Sequence, residues 1–415
     1  MTDPKKFLLS LFDAAVAAAQ PSLCVPTYLP EPPKGRCIVI GGGKAGGAMA
    51  AAVEKHYDSE ISGLVITRYD YAVPCEHIEI IEAAHPVPDA AGMAGAERML
   101  KTVAGLSEDD LVLCLISGGG SALMALPANG ITLDEKQSVN QTLLRSGAAI
   151  NEMNIVRKHI SKIKGGRLAR ASAPARLHTL LISDVVGDDV SAIASGPTVP
   201  DPSTYADALA VIKKYNMELP ASVMSVLNAG EDETPKPGDA IFANNTVEII
   251  ASGLNSLEAA AKIAEQAGIT PIILNDSLEG EARVVGREMA GFVSSYKDQA
   301  PCVLLSGGEL TVKVEGSGKG GPNTEFLMGL AAGLEGIEDV FAIACDTDGA
   351  DGLVDNAGAI ITPDTLARAQ TAGLDLDAML ADNDAYSFFE ALDDLVISGP
   401  TYTNVNDLRA IYISA

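Results

Sequence analysis

The chain has 415 residues, too many for one ordinary hydrophobic core, and it is expected to fold into two domains. An apolar fraction of 47%, aromatic residues at only 4% and the lack of tryptophan are typical of an α/β protein in which helices pack closely on sheets. The net charge of −26 argues against nucleic acid and against anionic membranes as partners, since long-range repulsion opposes both. Six cysteines without zinc-ligand spacing indicate reduced thiols and a cytoplasmic protein.

A glycine-rich loop follows the first predicted strand. The strand at 37–40 runs into the loop at 41–47, and an alanine-rich, helix-like segment follows. Gly42 and Gly43 let backbone amides approach an anion closely, the helix adds its positive N-terminal end, and Lys44 adds a full charge. The sequence therefore predicts a phosphate site with Lys44 as its cation.

Two other interpretations of this loop stay open. Residues 41–46 satisfy the dinucleotide fingerprint G-x-G-x-x-G, but the next predicted strand, at 63–67, ends in Arg68 instead of the acidic residue that NAD requires. An arginine at this place could suit the 2′-phosphate of NADP. A tight strand-to-helix turn with a solvated lysine is the purely structural alternative.

A second glycine-rich loop follows the predicted strand at 111–116. The loop consists of Ser117, Gly118, Gly119, Gly120 and Ser121. It is another candidate anion nest, and in an open parallel sheet such loops gather at the carboxyl ends of the strands. An ordinary tight turn explains each loop, taken separately, equally well.

Positive charge is concentrated at residues 154–176, which hold seven Lys and Arg residues and no Asp or Glu. Apolar residues recur there at helical spacing, which predicts a helix over 152–164 with Arg157 and Lys164 beside its buried stripe. In so acidic a chain, an acid-free basic segment indicates an anion-binding role. Solvated lysines on a surface helix are the alternative.

Carboxylates cluster in two loops that follow predicted strands. Asp189 lies in the first loop, and Asp346, Asp348 and Asp351 lie in the second. Aspartates in glycine-rich loops can hold Mg²⁺ through one or two oxygens while phosphates supply the rest, and a nearby aspartate can accept a hydroxyl proton during phosphoryl transfer. Turn capping is the alternative for each single aspartate.

The alternation of strands and helices predicts an α/β fold with two domains and mainly parallel sheets, at residues 1–235 and 236–415. The boundary falls in the segment 231–238, which is too polar and too rich in proline and glycine for the interior of an element. The final segment, residues 398–415, is left free to pack back on the first domain. Either a monomer or a homodimer is compatible with the sequence.

Several of these segments together resemble the glycerate 2-kinase family, whose C-terminal part is called the MOFRL domain. The resemblance is carried by residues 41–46, 85–89, 117–121, 154–159, 164–168, 183–189, 195–198, 346–349 and 403–408. It implies a Rossmann-like N-terminal domain, a smaller C-terminal MOFRL domain and a cleft between them. It also implies phosphorylation of D-glycerate at its 2-hydroxyl by ATP with Mg²⁺, giving 2-phosphoglycerate and ADP.

Phosphoryl transfer asks a protein mainly for positioning and for neutralising negative charge. On this basis Lys44 is expected to meet the transferred phosphate, and Asp189 to orient or deprotonate the hydroxyl. Substrate or nucleotide binding is expected at the two glycine loops and at Arg157 and Lys164. The metal is expected at Asp346, Asp348 and Asp351.

One departure from the family pattern concerns the second domain. Many members carry an arginine in a Gly-Gly-Arg-Asn segment, where this chain has Pro322 followed by Asn323. Lys319 is expected to supply the missing charge, unless another group does so, with Asn323 as a neighbouring binding residue.

Two further functions stay open. An NAD(P)H-dependent hydroxypyruvate reductase would use residues 41–46 for the pyrophosphate and Arg68 for a 2′-phosphate, but it needs a catalytic His–acid pair that the spacing does not reveal. A non-catalytic module that senses nucleotides or phosphosugars would use the same loops without chemistry, which leaves the aspartate loops without a purpose.

Overall fold

The computed structural model describes residues 3–414, which divide into two compact units. The central unit comprises residues 21–250, and the terminal unit comprises residues 3–20 and 251–414. This division differs from the predicted boundary after residue 235, because the strand at Thr246–Ala251 joins the sheet of the central unit. The polar segment 231–238 consequently lies within the central unit and does not connect two domains.

A six-stranded sheet forms the centre of the central unit. Its strands are β1 (Cys37–Gly42), β2 (Ile61–Arg68), β3 (Ile78–Ala83), β4 (Leu111–Ile116), β5 (Arg176–Ile182) and β6 (Thr246–Ala251). They follow the order β3-β2-β1-β4-β5-β6, and the pairings from β3 through β5 are all parallel. β1 and β4 are buried along their whole length, as strands covered on both faces should be. The predicted Rossmann-like architecture is confirmed.

The terminal unit contains a mixed sheet. Its strands are β7 (Thr270–Glu281), β8 (Cys302–Thr311), β9 (Val340–Asp346), β10 (Gly358–Ile361), β11 (Leu395–Val396) and β12 (Asp407–Ile413). β7 runs parallel to β8, whereas β12 is antiparallel to both β8 and β9, and β10 is antiparallel to β9. The sheet is thus less parallel than predicted. Because β12 lies between β8 and β9, the last strand of the chain is part of the sheet of the terminal unit. The packing of residues 398–415 on the first domain stays a prediction.

Helices cover these sheets. The α-helices of the central unit and the one that precedes it are α1 (Pro4–Ala18), α2 (Pro21–Cys24), α3 (Gly46–His56), α4 (Ala90–Thr102), α5 (Gly120–Leu123), α6 (Leu133–Arg145), α7 (Ile150–His159), α8 (Arg167–Ser172), α9 (Tyr205–Lys214) and α10 (Ala221–Ala229). Those that follow are α11 (Gly253–Gln266), α12 (Ala282–Tyr296), α13 (Pro322–Leu334), α14 (Thr365–Thr371), α15 (Leu376–Ala381) and α16 (Ala385–Ala391).

Local sequence signals fix the start of α6. The Thr132 hydroxyl accepts a hydrogen bond from the backbone N–H of Glu135 (3.2 Å), and the Glu135 carboxylate accepts one from the backbone N–H of Thr132 (2.8 Å). This reciprocal capping box satisfies two donors that would otherwise lack partners at the helix start. It sets the phase of α6 and therefore which of its side chains face inward.

Three helices beside the sheet share a core of their own. Val139 and Leu143 of α6, Val156 of α7, and Ala208 and Val211 of α9 belong to one buried apolar cluster. Burial of such side chains contributes roughly 1.5–3 kcal/mol for each Val or Leu. The cluster therefore holds α6 and α7 in fixed positions, and with them the charged residues that these helices carry.

The first helix belongs to the terminal unit although it opens the chain. Phe7, Leu8 and Leu11 of α1 share an apolar cluster with Leu257 and Ala260 of α11. This packing explains why residues 3–20 separate from the residues that follow them. Among residues 3–414, no single helix has the length and the apolar composition needed to cross a membrane.

Candidate active site

The two glycine loops lie side by side at the carboxyl ends of β1 and β4. In the observed strand order, the chain leaves β1 toward β2 on one side, and β4 lies on the other side. A reversal of this kind opens a crevice at the carboxyl edge of the sheet, and ligands of such folds bind there. The loops at 41–47 and 117–121 therefore occupy the place where the fold itself predicts a ligand.

Hydrogen bonds join the two loops directly. The backbone N–H of Lys44 donates to the Gly118 carbonyl (2.8 Å), and the backbone N–H of Ala45 donates to the Ser117 hydroxyl (2.9 Å). Gly43 has a φ of +150°, and a Cβ added to it would lie 2.1 Å from the Ser117 hydroxyl oxygen. Only glycine permits this close approach, so the two loops act as one rigid structure.

His85 belongs to the same group of residues. Gly119 has a φ of +80°, and a Cβ built on it would lie 3.0 Å from Cδ2 of His85 and 3.4 Å from Cγ of Lys44. The side chains of His85 and Lys44 therefore flank Gly119. His85 precedes Pro86 in the sequence, and the fold places this histidine beside the predicted cation.

Lys164 is attached to the end of the second glycine loop. Its side chain is 2% exposed, and its Nζ donates to the carbonyl (2.7 Å) and the hydroxyl (2.6 Å) of Ser121. Burial, followed by the charges of Lys136 and Arg157, holds the pKa of Lys164 well below its usual value. The sequence predicts a helix over 152–164, but α7 ends at His159, so Lys164 lies in the turn that follows the helix.

Arg157 is connected to Lys164 through polar side chains. Its Nη1 donates to Oδ1 of Asn154 (3.4 Å), and the same oxygen accepts from the Ser195 hydroxyl (3.3 Å). Ser195 lies 3.0 Å from the Ser121 hydroxyl, which closes the connection to Lys164. The structure thus brings together Lys44, both glycine loops, Arg157 and Lys164, as expected for a site that binds anions.

Lys136 of α6 also belongs to this site, although the sequence did not single it out. Its side chain is 1% exposed, and within residues 3–414 its Nζ has no hydrogen-bond partner. Burial, and next the charge of Arg157, lowers the pKa of Lys136 to about 8. Its spacing from Val139 and Leu143 marks it, in retrospect, as a lysine on the apolar stripe of the helix.

Asp189 lies in an exposed turn of the central unit. Its Oδ1 accepts from the backbone N–H of Ser191 (2.8 Å), and its carbonyl accepts from the N–H groups of Ala192 (2.8 Å) and Ile193 (3.1 Å). This is the turn-capping geometry that was the structural alternative. The general-base role of Asp189 stays a prediction.

The three aspartates predicted to bind metal have other roles in the terminal unit. Asp351 is fully buried, and its carboxylate accepts from the backbone N–H groups of Asn323 (2.8 Å) and Thr324 (2.9 Å), at the start of α13. Asp346 accepts from the backbone of Asp348 (2.8 Å) in a short turn. Among residues 3–414, no group of three or more His, Cys, Asp or Glu residues is placed to hold a metal ion. These aspartates therefore form no three-carboxylate site by themselves, and their role toward magnesium stays a prediction.

Comparison with known proteins agrees with this architecture. The model of the MOFRL family matches residues 302–407, and a model described as a domain of unknown function (DUF4147) matches residues 7–228. A D-glycerate 2-kinase of Thermotoga maritima is 40% identical and covers 98% of this chain, which in turn covers 99% of that protein. The chain belongs to the glycerate 2-kinase family that carries the MOFRL domain.

Two further relatives of this glycerate 2-kinase family member are informative. The crystal structure of the glycerate kinase from Thermotoga maritima superposes with a TM-score of 0.90 at 39% identity, and the match covers 99% of both chains. A protein of Agrobacterium vitis named "Putative hydroxypyruvate reductase" is 54% identical over 99% of this chain and 94% of its own length. The family thus contains two different functional names.

The proline that replaces the family's arginine has a structural role in this glycerate 2-kinase homologue. Pro322 is the first residue of α13, a position that suits proline because its missing N–H has no helical partner there. Asn323 is buried, and its Nδ2 donates to Oδ1 of Asp407 (2.7 Å). The backbone N–H of Lys319 donates to Asp384 (3.0 Å), and its side chain is exposed. The binding roles of Lys319 and Asn323 stay predictions.

Proposed function

We propose that the protein is an ATP-dependent D-glycerate 2-kinase that forms 2-phosphoglycerate and ADP. The observation that carries this proposal is the meeting of Lys44 with two interlocked glycine loops at the carboxyl edge of a doubly wound sheet. Buried cations without acidic partners lie at the end of the second loop. Membership of the glycerate 2-kinase family supports the same activity.

In the proposed reaction, the 2-hydroxyl oxygen of D-glycerate forms a bond to the γ-phosphorus of ATP, and the bond from that phosphorus to the β–γ bridging oxygen breaks. The hydroxyl proton passes to Asp189 or to water, and ADP leaves. The N-terminal end of α3 and the backbone amides of Gly118 and Gly119 are expected to hold phosphate oxygens, because the amides of residues 43–46, 117 and 120 already donate within the protein. Lys44 neutralises the charge that spreads over the transferred group.

Lys44 provides a direct test of this role. Lys44→Met is expected to lower kcat by roughly 10²–10³-fold, the usual loss when one preorganised donor to the transition state is removed. The control is Lys55→Met, which changes an exposed lysine at the other end of α3. Steady-state assays of ADP release and thermal unfolding are measured for both variants. Near-normal kcat in Lys44→Met would remove the lysine from the mechanism.

Magnesium enters the proposal with the phosphates of ATP, and Asp346, Asp348 and Asp351 stay its predicted protein ligands. Chelation with EDTA is expected to abolish activity, and the Mg²⁺ concentration needed for half-activity is expected to rise in step with the ATP concentration. Asp348→Asn is expected to raise the Mg²⁺ concentration needed for half-activity further. An unchanged Mg²⁺ dependence in Asp348→Asn would remove this aspartate from the metal site.

The second candidate function is an NAD(P)H-dependent hydroxypyruvate reductase, which the name of the Agrobacterium vitis relative favours. The structure gives this function little support at Arg68, because the guanidinium stacks over the ring of Tyr71, 5.0 Å from its centroid. The proposal also includes a cytoplasmic location and small-molecule partners, in keeping with the net charge of −26.

One coupled experiment separates the candidate functions. The purified protein is supplied with D-glycerate, ATP and Mg²⁺ while ADP is measured, and separately with hydroxypyruvate and NADPH while cofactor oxidation is measured. ADP release that depends strictly on D-glycerate supports the kinase. Oxidation of NADPH without ADP release in the first assay would establish the reductase instead. No turnover in either assay would favour a sensing module.

A further inference from the structure

Three cations of the central unit influence one another, and we call them the cationic triad: Lys136 of α6, Arg157 of α7 and Lys164 in the turn after α7. The two lysines are buried, and Arg157 is partly buried. Among residues 3–414, none of the three forms an ion pair with an Asp or Glu. Arg157 and Lys164 have polar neighbours, whereas the Lys136 ammonium has none. A buried charge without a counter-charge is costly, so two buried lysines beside the partly buried Arg157 call for an anion.

The charges of the triad act on one another. The positive charge of Arg157 disfavours the protonated form of Lys136, and the charges of both disfavour the protonated form of Lys164, in each case in addition to burial. Repulsion of this kind would be relieved by a negative group close to all three. A single small anion is the simplest such group.

A second unpartnered atom lies next to Lys136. Oδ1 of Asn140, one turn further along α6, is buried and has no hydrogen-bond partner within residues 3–414. Buried amide oxygens are rarely left without a donor in folded proteins. A ligand that brings both a negative group and a hydroxyl hydrogen would satisfy Lys136 and Asn140 together.

The triad adjoins the loops already described. Nε2 of Gln137 donates to the Pro88 carbonyl (2.6 Å), which connects α6 to the loop that carries His85. Lys164 donates to Ser121 at the end of the second glycine loop. The backbone amides of the glycine loops suit phosphate groups, and the enclosed side-chain charges of the triad suit a single smaller anion.

We propose that the cationic triad binds the carboxylate of the acceptor acid and that Lys136 makes the central contact. The identity of the acid as D-glycerate rests on the proposed function, but the carboxylate site itself does not. In D-glycerate the carboxylate and the 2-hydroxyl are on adjacent carbons. A carboxylate held by the triad therefore keeps the hydroxyl close to the glycine loops and excludes alcohols that lack the acid group.

Calorimetric binding measurements without turnover test this proposal. The wild-type protein, Lys136→Met and the control Lys213→Met, which changes an exposed lysine of α9, are titrated with D-glycerate, hydroxypyruvate and ADP. Lys136→Met is expected to weaken D-glycerate binding by about 100-fold or more, as is usual when a buried charge partner is removed. ADP binding and the control variant are expected to stay within about threefold of the wild type.

Each other outcome has a defined meaning. Unchanged D-glycerate binding in Lys136→Met overturns the proposal, and so does a wild-type protein that binds neither acid. A selective loss of ADP binding would assign the triad to a nucleotide phosphate and would also overturn it. If the wild type binds D-glycerate or hydroxypyruvate through Lys136 but shows no ADP release with ATP, the kinase proposal fails while the carboxylate site stands.

A conservative variant separates binding from structural support. Lys136→Arg keeps the charge and is expected to retain D-glycerate binding better than Lys136→Met. If the lysine were needed only for folding, Lys136→Arg and Lys136→Met would both unfold at lower temperatures. Both would also bind D-glycerate, hydroxypyruvate and ADP more weakly, to a similar extent. Thermal unfolding of the titrated samples, with and without D-glycerate, distinguishes these results: the acid is expected to stabilise the wild type and to leave Lys136→Met unchanged.

Discussion

Both units of the molecule contain buried ion pairs, such as Lys158 with Asp201 in the central unit, but the central unit also buries cations that have no carboxylate partner within residues 3–414. In the terminal unit, Arg409 pairs with Asp407, donates from Nη1 to the Gly307 carbonyl (3.1 Å) and lies over the ring of Phe326. In the central unit, Lys136, Arg157 and Lys164 lie together without a carboxylate. Charges that are paired internally hold a fold together, whereas charges left unpaired are available to a ligand.

Arg409, Asp407 and Asn323 form a group that we call the paired cluster. It gives a structural contact to Asn323, which the sequence indicates as a binding residue. Asn323 donates from Nδ2 to Asp407 (2.7 Å), so the amide connects the start of α13 to β12. Asp351 anchors the same helix start through two backbone N–H groups. Polar residues at the ends of strands can therefore serve the fold alone, and only their partners reveal which of the two roles they have.

The largest effect is expected from breaking the paired cluster. Asp407→Ala would leave the Arg409 guanidinium buried without its carboxylate, which is expected to lower the free energy of unfolding by about 3–5 kcal/mol. Urea unfolding followed by circular dichroism measures this change. The control is Asp298→Ala, at an exposed position of the same unit, with an expected change within about 0.5 kcal/mol. Equal stability of the two variants would contradict a structural role for the cluster.

A change of the opposite sign in the free energy of unfolding is expected when the cationic triad loses the charge of Lys136. The pKa of Lys136 is about 8 in the folded protein and 10.5 for an ordinary lysine, so at neutral pH the charged form costs about 3 kcal/mol. Lys136→Met removes this cost and is expected to raise the free energy of unfolding at pH 7. Above pH 8 the folded protein loses the proton before the unfolded chain does, so wild-type stability rises toward pH 10.5 and the advantage of the variant declines.

Urea unfolding of both proteins at pH 7, 8, 9 and 10 measures this difference. A variant that is more stable yet binds D-glycerate more weakly would show that Lys136 serves the ligand at the expense of the fold. A destabilised Lys136→Met would show that the lysine has a compensating contact in the protein, and the contrast between the two clusters would then be lost.

Much of the fold could be predicted from local sequence patterns. Apolar runs that end in glycines located β1 and β4, and these two strands determine where the glycine loops meet. The strand β3 was missed because Glu79 and Glu82 interrupt its apolar pattern. The central place of β12 could not be predicted, since its pairing with β8 and β9 joins residues distant in the sequence and leaves no local signal.

Only those parts of the candidate site that have a local sequence signal could be predicted. Lys44 and the glycine loops carry a local signature, and Arg157 and Lys164 lie in a segment without acids. Lys136 has two acidic neighbours in the sequence, Asp134 and Glu135, and therefore resembles an ordinary surface lysine. Only its phase on α6, one turn before Val139, indicates that it faces inward, and only the fold shows that its Nζ has no hydrogen-bond partner in the part of the chain that the structure describes.

The smallest expected effect is the pH dependence of acid binding. In the proposed carboxylate site, D-glycerate binds the protonated form of Lys136, and with a pKa near 8 about one tenth of the lysine is protonated at pH 9. Because apparent affinity falls with the fraction of the competent form, the Kd of the wild type is expected to rise roughly tenfold between pH 7 and pH 9. Lys136→Arg stays protonated throughout this range, so its Kd is expected to change much less. Calorimetric titration at both pH values measures the two Kd values. An equal rise of Kd in the wild type and in Lys136→Arg would show that the pH dependence does not arise from Lys136.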